Sequence, residues 1–154
     1  MYFCIVFYMI LKSKAIVLRS LKFGDSSLII DMFTELEGRI SFITRIPKTA
    51  KGKIKKQYFQ PLTLLDLEFD YRPRTSLQRI KEVRILRPYG SIPFEPVKSA
   101  ILLFLSEFLY YVTRGEQQNA HLYNYICASM EWLDEAEHDY ANFHLVFMMR
   151  LSRF

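Results

Sequence analysis

An aspartate and two serines stand together in GDSS, Gly24 to Ser27, and a serine nucleophile is the first chemistry such a stretch raises. That chemistry needs a histidine base positioned by an acid, and donors for the oxyanion. No suitable Asp-x-x-His occurs near the end of the chain, so GDSS reads as a turn between strands. The Gly-Lys pair in AKGKI lacks the G-x-x-x-x-G-K-[ST] frame of a phosphate loop. Glu135 and His138 have the i, i+3 spacing of a carboxylate–histidine metal pair, but a di-metal bundle needs a second such motif on a facing helix. His121 and His144 add no metal spacing. Cys4 and Cys127 are isolated, which suits neither a zinc site nor a disulfide framework and fits a reducing cytoplasm. No catalytic centre, cofactor or metal is expected.

The chemistry that survives is electrostatic. RIPKTAKGKIKKQYFQP, residues 45–61, carries six cations: Arg45, Lys48, Lys51, Lys53, Lys55 and Lys56. No Asp or Glu lies between Glu37 and Asp66 to neutralise them. Like charges this close need either solvent or an anionic partner. Together with Arg39 and Arg45 on the outward face of the preceding segment, the lysines form an arrangement that could track phosphates. Tyr58 and Phe59 follow, and aromatics in such a setting can stack bases. The plainer alternative is a solvated loop in which Phe59, beside Pro61, plugs the core.

The same polarity runs through the whole chain of 154 residues, whose net charge is +5. Residues 1–98 carry 18 Lys and Arg against 9 Asp and Glu, whereas residues 99–154 carry 3 against 7. A basic part followed by an acidic, apolar part suggests two modules with different partners.

These residues must be held by elements, and the pattern supplies them. KSKAIVLRSLKF, LIIDMFT, RISFITRI, LLDLEFDYR and LQRIKEVRIL read as five strands separated by short turns and by the basic loop. In RISFITRI, Ile40, Phe42, Thr44 and Ile46 share one face, and Arg39, Ser41, Ile43 and Arg45 the other. In LLDLEFDYR, Leu65, Leu67, Phe69 and Tyr71 point inward. A simple hairpin would set Asp70 opposite Arg79 and Glu68 opposite Lys81. Five strands in about eighty residues point to a small barrel, with the five-stranded OB fold as the obvious candidate.

After RPYGSIPFEP the period becomes helical. Pro96 opens one helix that ends at Gly115, Asn119 caps a second, and Asn142 caps a third that is apolar nearly all round. None is a membrane span. The third helix stops in mid-pattern, which suggests further chain. The expected organisation is α+β. Residues 1–11 form an N-terminal extension with Met9 as the natural start, residues 12–88 a five-stranded OB-fold β-barrel, and residues 94–154 an incomplete α-helical domain.

KAIVLRSLKFGDSSLIIDMFTELEGRISFI, YRPRTSLQRIKEVRIL, SIPFEPVKSAILLFLSEFLY and NFHLVFMMRLSRF together resemble the RecO family of bacterial recombination mediators and DNA-repair proteins, in a style similar to Bacteroides-like members. The resemblance implies an OB barrel that binds single- and double-stranded DNA, followed by a helical domain. It implies strand annealing, contact with the tail of the single-stranded-DNA-binding protein, and action with RecR in loading RecA. The place of action is then the cytoplasm, at the nucleoid. The four-cysteine zinc module of many members is absent from this sequence. An acidic, aromatic-ended tail wants an apolar cleft with a cation at its rim, and Arg114, Arg150 and Arg153 are the only cations after Lys98. The competing reading, from another class, is a non-catalytic protein–protein adaptor with a merely solvated basic loop.

Overall fold

Apolar residues at alternate positions put one face of each strand out of water, and closing the sheet hides those faces together. In the computed structural model, which describes residues 9–49 and 51–154, five strands do this: β1 (Met9–Phe23), β2 (Ser27–Thr34), β3 (Gly38–Arg45), β4 (Leu64–Tyr71) and β5 (Leu77–Arg87). They form a closed barrel in the order β1-β2-β3-β5-β4, with β4 returning to β1. All neighbours are antiparallel except β3 and β5. This is the architecture expected from the sequence.

The interior holds Val17, Leu28, Ile30, Phe42, Leu65, Leu67, Phe69 and Ile80, with Phe42 and Phe69 meeting edge to face at 5.0 Å. Phe59, from a 3-10 turn over Lys56–Phe59, closes one opening and is 1% exposed. The expectation that Phe59 could plug the barrel is therefore met.

Two details differ from the pattern. β1 begins at Met9, three residues before the expected Lys12, because Met9, Ile10 and Leu11 pair with Tyr71, Asp70 and Phe69 of β4. The proposed extension of residues 1–11 thus gives its last three residues to the strand, and the rest of it, with Cys4, lies outside the described residues. The β4–β5 hairpin is also not simple. Asp70 does face Arg79, but a bulge after Ile80 places Glu68 opposite Glu82 instead of Lys81. A bulge inserts one residue and shifts the pairing of every later residue by one. Lys81 then reaches back to Asp70 at 3.4 Å, while Glu68 is met by Lys12 of β1 at 4.0 Å.

Three helices follow: α1 (Pro96–Val112), α2 (Ala120–Glu135) and α3 (Phe143–Leu151). Pro96 opens α1, and Gly115 takes φ +74° just past its end. Asn119 caps α2 by accepting from the Leu122 amide at 3.0 Å. Asn142 occupies the corresponding position of α3, but its side chain makes no cap; its carbonyl starts the helix instead. None of the described helices is long and apolar enough to cross a membrane.

Barrel and helices share a second core. Ile16, Leu18, Phe33, Leu62 and Leu64 of the barrel side pack with Leu105, Leu109, Tyr110, Tyr123, Ile126 and Met130. The chain between them is clamped. The Asp134 carboxylate accepts from the Gly90, Ser91 and Ile92 amides, and Lys98, only 2% exposed, donates to Ser91 Oγ and to the Asp134 and Ala136 carbonyls. These contacts satisfy the last carbonyls of α2 with a buried ammonium, as a helix C-terminus favours.

Candidate nucleic-acid interface

The basic loop is anchored, and its anchors are apolar. The Ile46 amide donates to the Ser26 carbonyl at 2.7 Å, tying the loop to the β1–β2 turn. Ile46, Ile54 and Tyr58 pack against the barrel core while Phe59 enters it. Gly52 lies so close to Pro47 that a Cβ there would press into the proline ring. With the apolar side nailed down, Lys48, Lys51, Lys53, Lys55 and Lys56 all face solvent, as does Arg45. Lys48, Lys55, Lys56 and Gln57 border a groove of about 340 Å³, and no carboxylate lines it. Tyr58 is half-buried, so only part of its ring is open to a base.

Strand register extends this end of the barrel into a surface. Across β1, β2 and β3, Phe23 pairs with Ser27 and Ser27 with Arg45; Leu21 with Ile29 and Ile29 with Ile43; Arg19 with Asp31 and Asp31 with Ser41. Paired residues share a face. Leu28, Ile30, Phe42 and Thr44 point inward and are buried, so these three rows form the outer face. β5 adds Arg79 beside Ile43. The result is an apolar row edged by Phe23, 57% exposed, and by the exposed Arg45 and Arg79.

Phe23, Leu21, Ile29, Ile43 and Arg79 do not stand out as site residues in the sequence. The alternation of Arg19, Leu21 and Phe23 is legible there, but the register that sets them beside Arg45 is not. Lys22, also exposed, joins the same end.

The opposite side of the barrel is different. Arg84 donates twice to Asp66 at 2.8 and 3.0 Å, Lys81 meets Asp70, and Lys12 meets Glu68. These three cations are paired with carboxylates and offer little to a phosphate.

Arg39, expected beside Arg45 and the loop lysines, is engaged by the end of α1 instead. It lies six residues from Arg45, about 20 Å along the strand. One Nη donates to the Tyr110 carbonyl at 2.6 Å and to Thr113 Oγ1 at 3.0 Å, and the guanidinium lies over the Tyr110 ring at 4.5 Å. Burial pushes its pKa down, against the pull of Asp31. The alternation expected of β3 holds, but α1 covers the Arg39 end of that face. Gly38, with φ +71°, completes the join: its missing Cβ leaves room for the Glu116 and Gln117 backbone, and the Arg39 amide donates to the Glu116 carbonyl at 2.9 Å.

The three late cations are not brought together either. Arg150 borders an apolar cleft of about 520 Å³ between α2 and α3, lined by Tyr125, Trp132, Phe143 and Phe147. Trp132 and Phe143 stack there at 5.4 Å. Arg153 is exposed beyond α3 and does not line the cleft. Arg114 stands at the end of α1, 5.8 and 6.0 Å from the Tyr110 and Tyr111 rings. Among the expected non-ligands, Glu135 pairs with Arg87 at 2.5 Å, His144 packs on Phe104, and His121 and His138 are exposed. Burial pushes the Cys127 thiol up to about 11.

Comparison with known proteins gives a consistent picture. The profile of the family described as "Recombination protein O N terminal" matches residues 9–89, and "Recombination protein O C terminal" matches residues 93–154. The chain is 52% identical to a DNA repair protein RecO of Bacteroides fragilis, covering 95% of this chain and 60% of that one. It is 44% identical to the protein of that name from Phocaeicola vulgatus, over 95% and 61% of the two chains. For Flavobacterium psychrophilum the identity is 36%, over 94% and 60%. The chain thus spans about 60% of the length of these relatives.

Proposed function

The chain belongs to the recombination protein O family, and from that premise we propose that it acts in DNA repair and recombination by binding single- and double-stranded DNA on the barrel's outer face and annealing complementary strands. The observation that carries the proposal is the contrast between the two walls of the barrel. The outer face of β1, β2 and β3, with Arg79 at the start of β5, combines an apolar row, exposed Phe23 and Arg45 and five loop lysines, while Lys81 and Arg84 farther along β5 are paired with the β4 carboxylates Asp70 and Asp66.

The mechanism is electrostatic. Lysines and arginines displace counterions from two strands and lower their mutual repulsion. Phe23, and the open part of Tyr58, hold bases against the face by stacking. The protein makes and breaks no bond, so it is a mediator, with no role as an enzyme. In the cytoplasm, at the nucleoid, it would act with RecR to help load RecA on strands coated by the single-stranded-DNA-binding protein. The acidic, aromatic-ended tail of that protein would enter the α2–α3 cleft with its carboxylates on Arg150.

The test is a titration of an oligonucleotide at several salt concentrations. Replacing Lys51, Lys53, Lys55 and Lys56 with Ala should flatten the slope of log affinity against log salt by about 2 to 3 units, at roughly 0.7 per phosphate contact. Annealing should fall with binding. A quadruple variant that keeps both slope and annealing rate would reduce the loop to a solvated connection and leave the protein–protein adaptor as the better reading.

A further inference from the structure

We propose that the end of α1, with Tyr111 and Arg114 beside Arg19, is a second single-strand contact that takes one base and its phosphate as a strand leaves the barrel face. The inference rests on the barrel reading above, and it moves Arg114 from the peptide-binding role expected for it to the nucleic-acid surface.

Continuity is the first argument. Arg19 lies in the same outward row of β1 as Leu21 and Phe23, so this row runs from the loop end of the barrel directly to α1. Where it arrives, the Arg19 guanidinium lies over the Tyr110 ring at 3.9 Å. A hollow of about 340 Å³ opens there, lined by Leu18, Arg19, Ser20, Tyr110 and Tyr111 among others.

Charge is the second. Three guanidiniums, those of Arg19, Arg39 and Arg114, gather on one tyrosine ring at 3.9, 4.5 and 5.8 Å. Arg39 is committed to the Tyr110 carbonyl and Thr113, and Arg19 meets Asp31 at 3.7 Å. Arg114 is exposed, and no ion pair among the described residues involves it. Of the three, only Arg19 lines the hollow itself, and the one carboxylate lining it is Glu107. Burial pushes the Arg39 pKa down; Asp31 opposes this, and the neighbouring Arg114 and Arg19 add to it. An added phosphate relieves such crowding.

A helix C-terminus ordinarily repels a phosphate through its free carbonyls. Here two of those carbonyls already have side-chain donors. Arg39 donates to the Tyr110 carbonyl, and Thr113 Oγ1 donates to the Leu109 carbonyl at 2.6 Å. Because Arg39 already serves the helix end, Arg114 is not required there as a counter-charge. Tyr111, 58% exposed, stands at 78° to the Tyr110 ring with centroids 5.2 Å apart, a supported aromatic turned to solvent. Such a ring is a stacking platform.

The probes are two oligothymidylates, one of about 4 nucleotides and one of about 16, the range an OB barrel covers. With the 16-mer, Arg114→Ala should lower the salt slope by about 0.7. Tyr111→Ala should weaken 16-mer binding roughly 5- to 150-fold with the slope unchanged. Both variants should bind the 4-mer as the unaltered chain does, and both should melt at its temperature, since the two side chains are exposed. Unchanged 16-mer binding in both variants would overturn this contact and leave the barrel reading intact. Equal losses on both lengths would also overturn it, by placing the two residues inside the barrel site. If the unaltered chain binds neither probe, the barrel reading falls and this inference with it.

Discussion

Arg39 of β3 and Tyr110 of α1 are joined twice: the guanidinium donates to the Tyr110 carbonyl at 2.6 Å and stacks over its ring at 4.5 Å. A residue that alternation places on the same face as Arg45, the proposed nucleic-acid face, is thereby a strut between barrel and helices.

Its replacement should therefore act on stability. Arg39→Ala leaves two acceptors without their donor, a loss of about 1–3 kcal/mol, and the salt slope of DNA binding should not change. Gly38→Ala should cost more than about 1 kcal/mol, because φ is positive and the new methyl meets the Gln117 carbonyl. Urea unfolding of both variants, with DNA titration of the folded protein, checks this. A lowered salt slope in Arg39→Ala would return Arg39 to the interface.

Phe23 and Tyr58 should part company. Phe23 is more than half exposed and contributes little to the core, so Phe23→Ala should weaken single-strand binding by about 1–3 kcal/mol at unchanged salt slope and melting temperature. Tyr58 packs against the barrel core, so Tyr58→Ala should lower the melting temperature as well. If Phe23→Ala binds normally, the apolar row is not a base platform.

The α2–α3 cleft separates the late arginines. Calorimetry with an acidic peptide ending in an aromatic residue should show weaker binding for Arg150→Ala, by at least about fivefold if one charge-assisted hydrogen bond is lost. Arg153→Ala should bind as the unaltered chain does. Equal affinity in both variants would remove Arg150 as the contact.

Asp134 sets a pH dependence. Its burial alone would raise the pKa, but the Gly90, Ser91 and Ile92 amides and the Ser91 hydroxyl more than offset that, and the net shift is downward. A carboxyl with a depressed folded-state pKa stabilises above its unfolded value, about 3.9, and loses that contribution as pH falls through the folded value. Stability should accordingly decline on acidification below about pH 4, and Asp134→Asn should reduce that decline. Thermal unfolding from pH 2.5 to 7 measures both curves, and parallel curves would exclude Asp134 as a source.

Much of the protein was determined by sequence alone. Alternation in RISFITRI and LLDLEFDYR fixes which side chains face inward, since strand geometry repeats every two residues whatever surrounds it. The switch to a helical period after Pro96, the cap at Asn119 and the stop at Gly115 are likewise local. So is the density of cations from Arg45 to Lys56, which no fold could neutralise with neighbours in the chain. The tertiary structure decided the rest because it depends on distant partners. Register across β1, β2 and β3 brought Phe23 and Ile43 beside Arg45, and a single inserted residue at Lys81 moved Glu68 from that lysine to Lys12. Arg39 and Arg45 stand on one face by periodicity, yet α1 packs over one end of it and leaves the other open. A residue's face is set by the backbone's repeat, but whether that face meets solvent, helix or ligand depends on packing between segments some seventy residues apart.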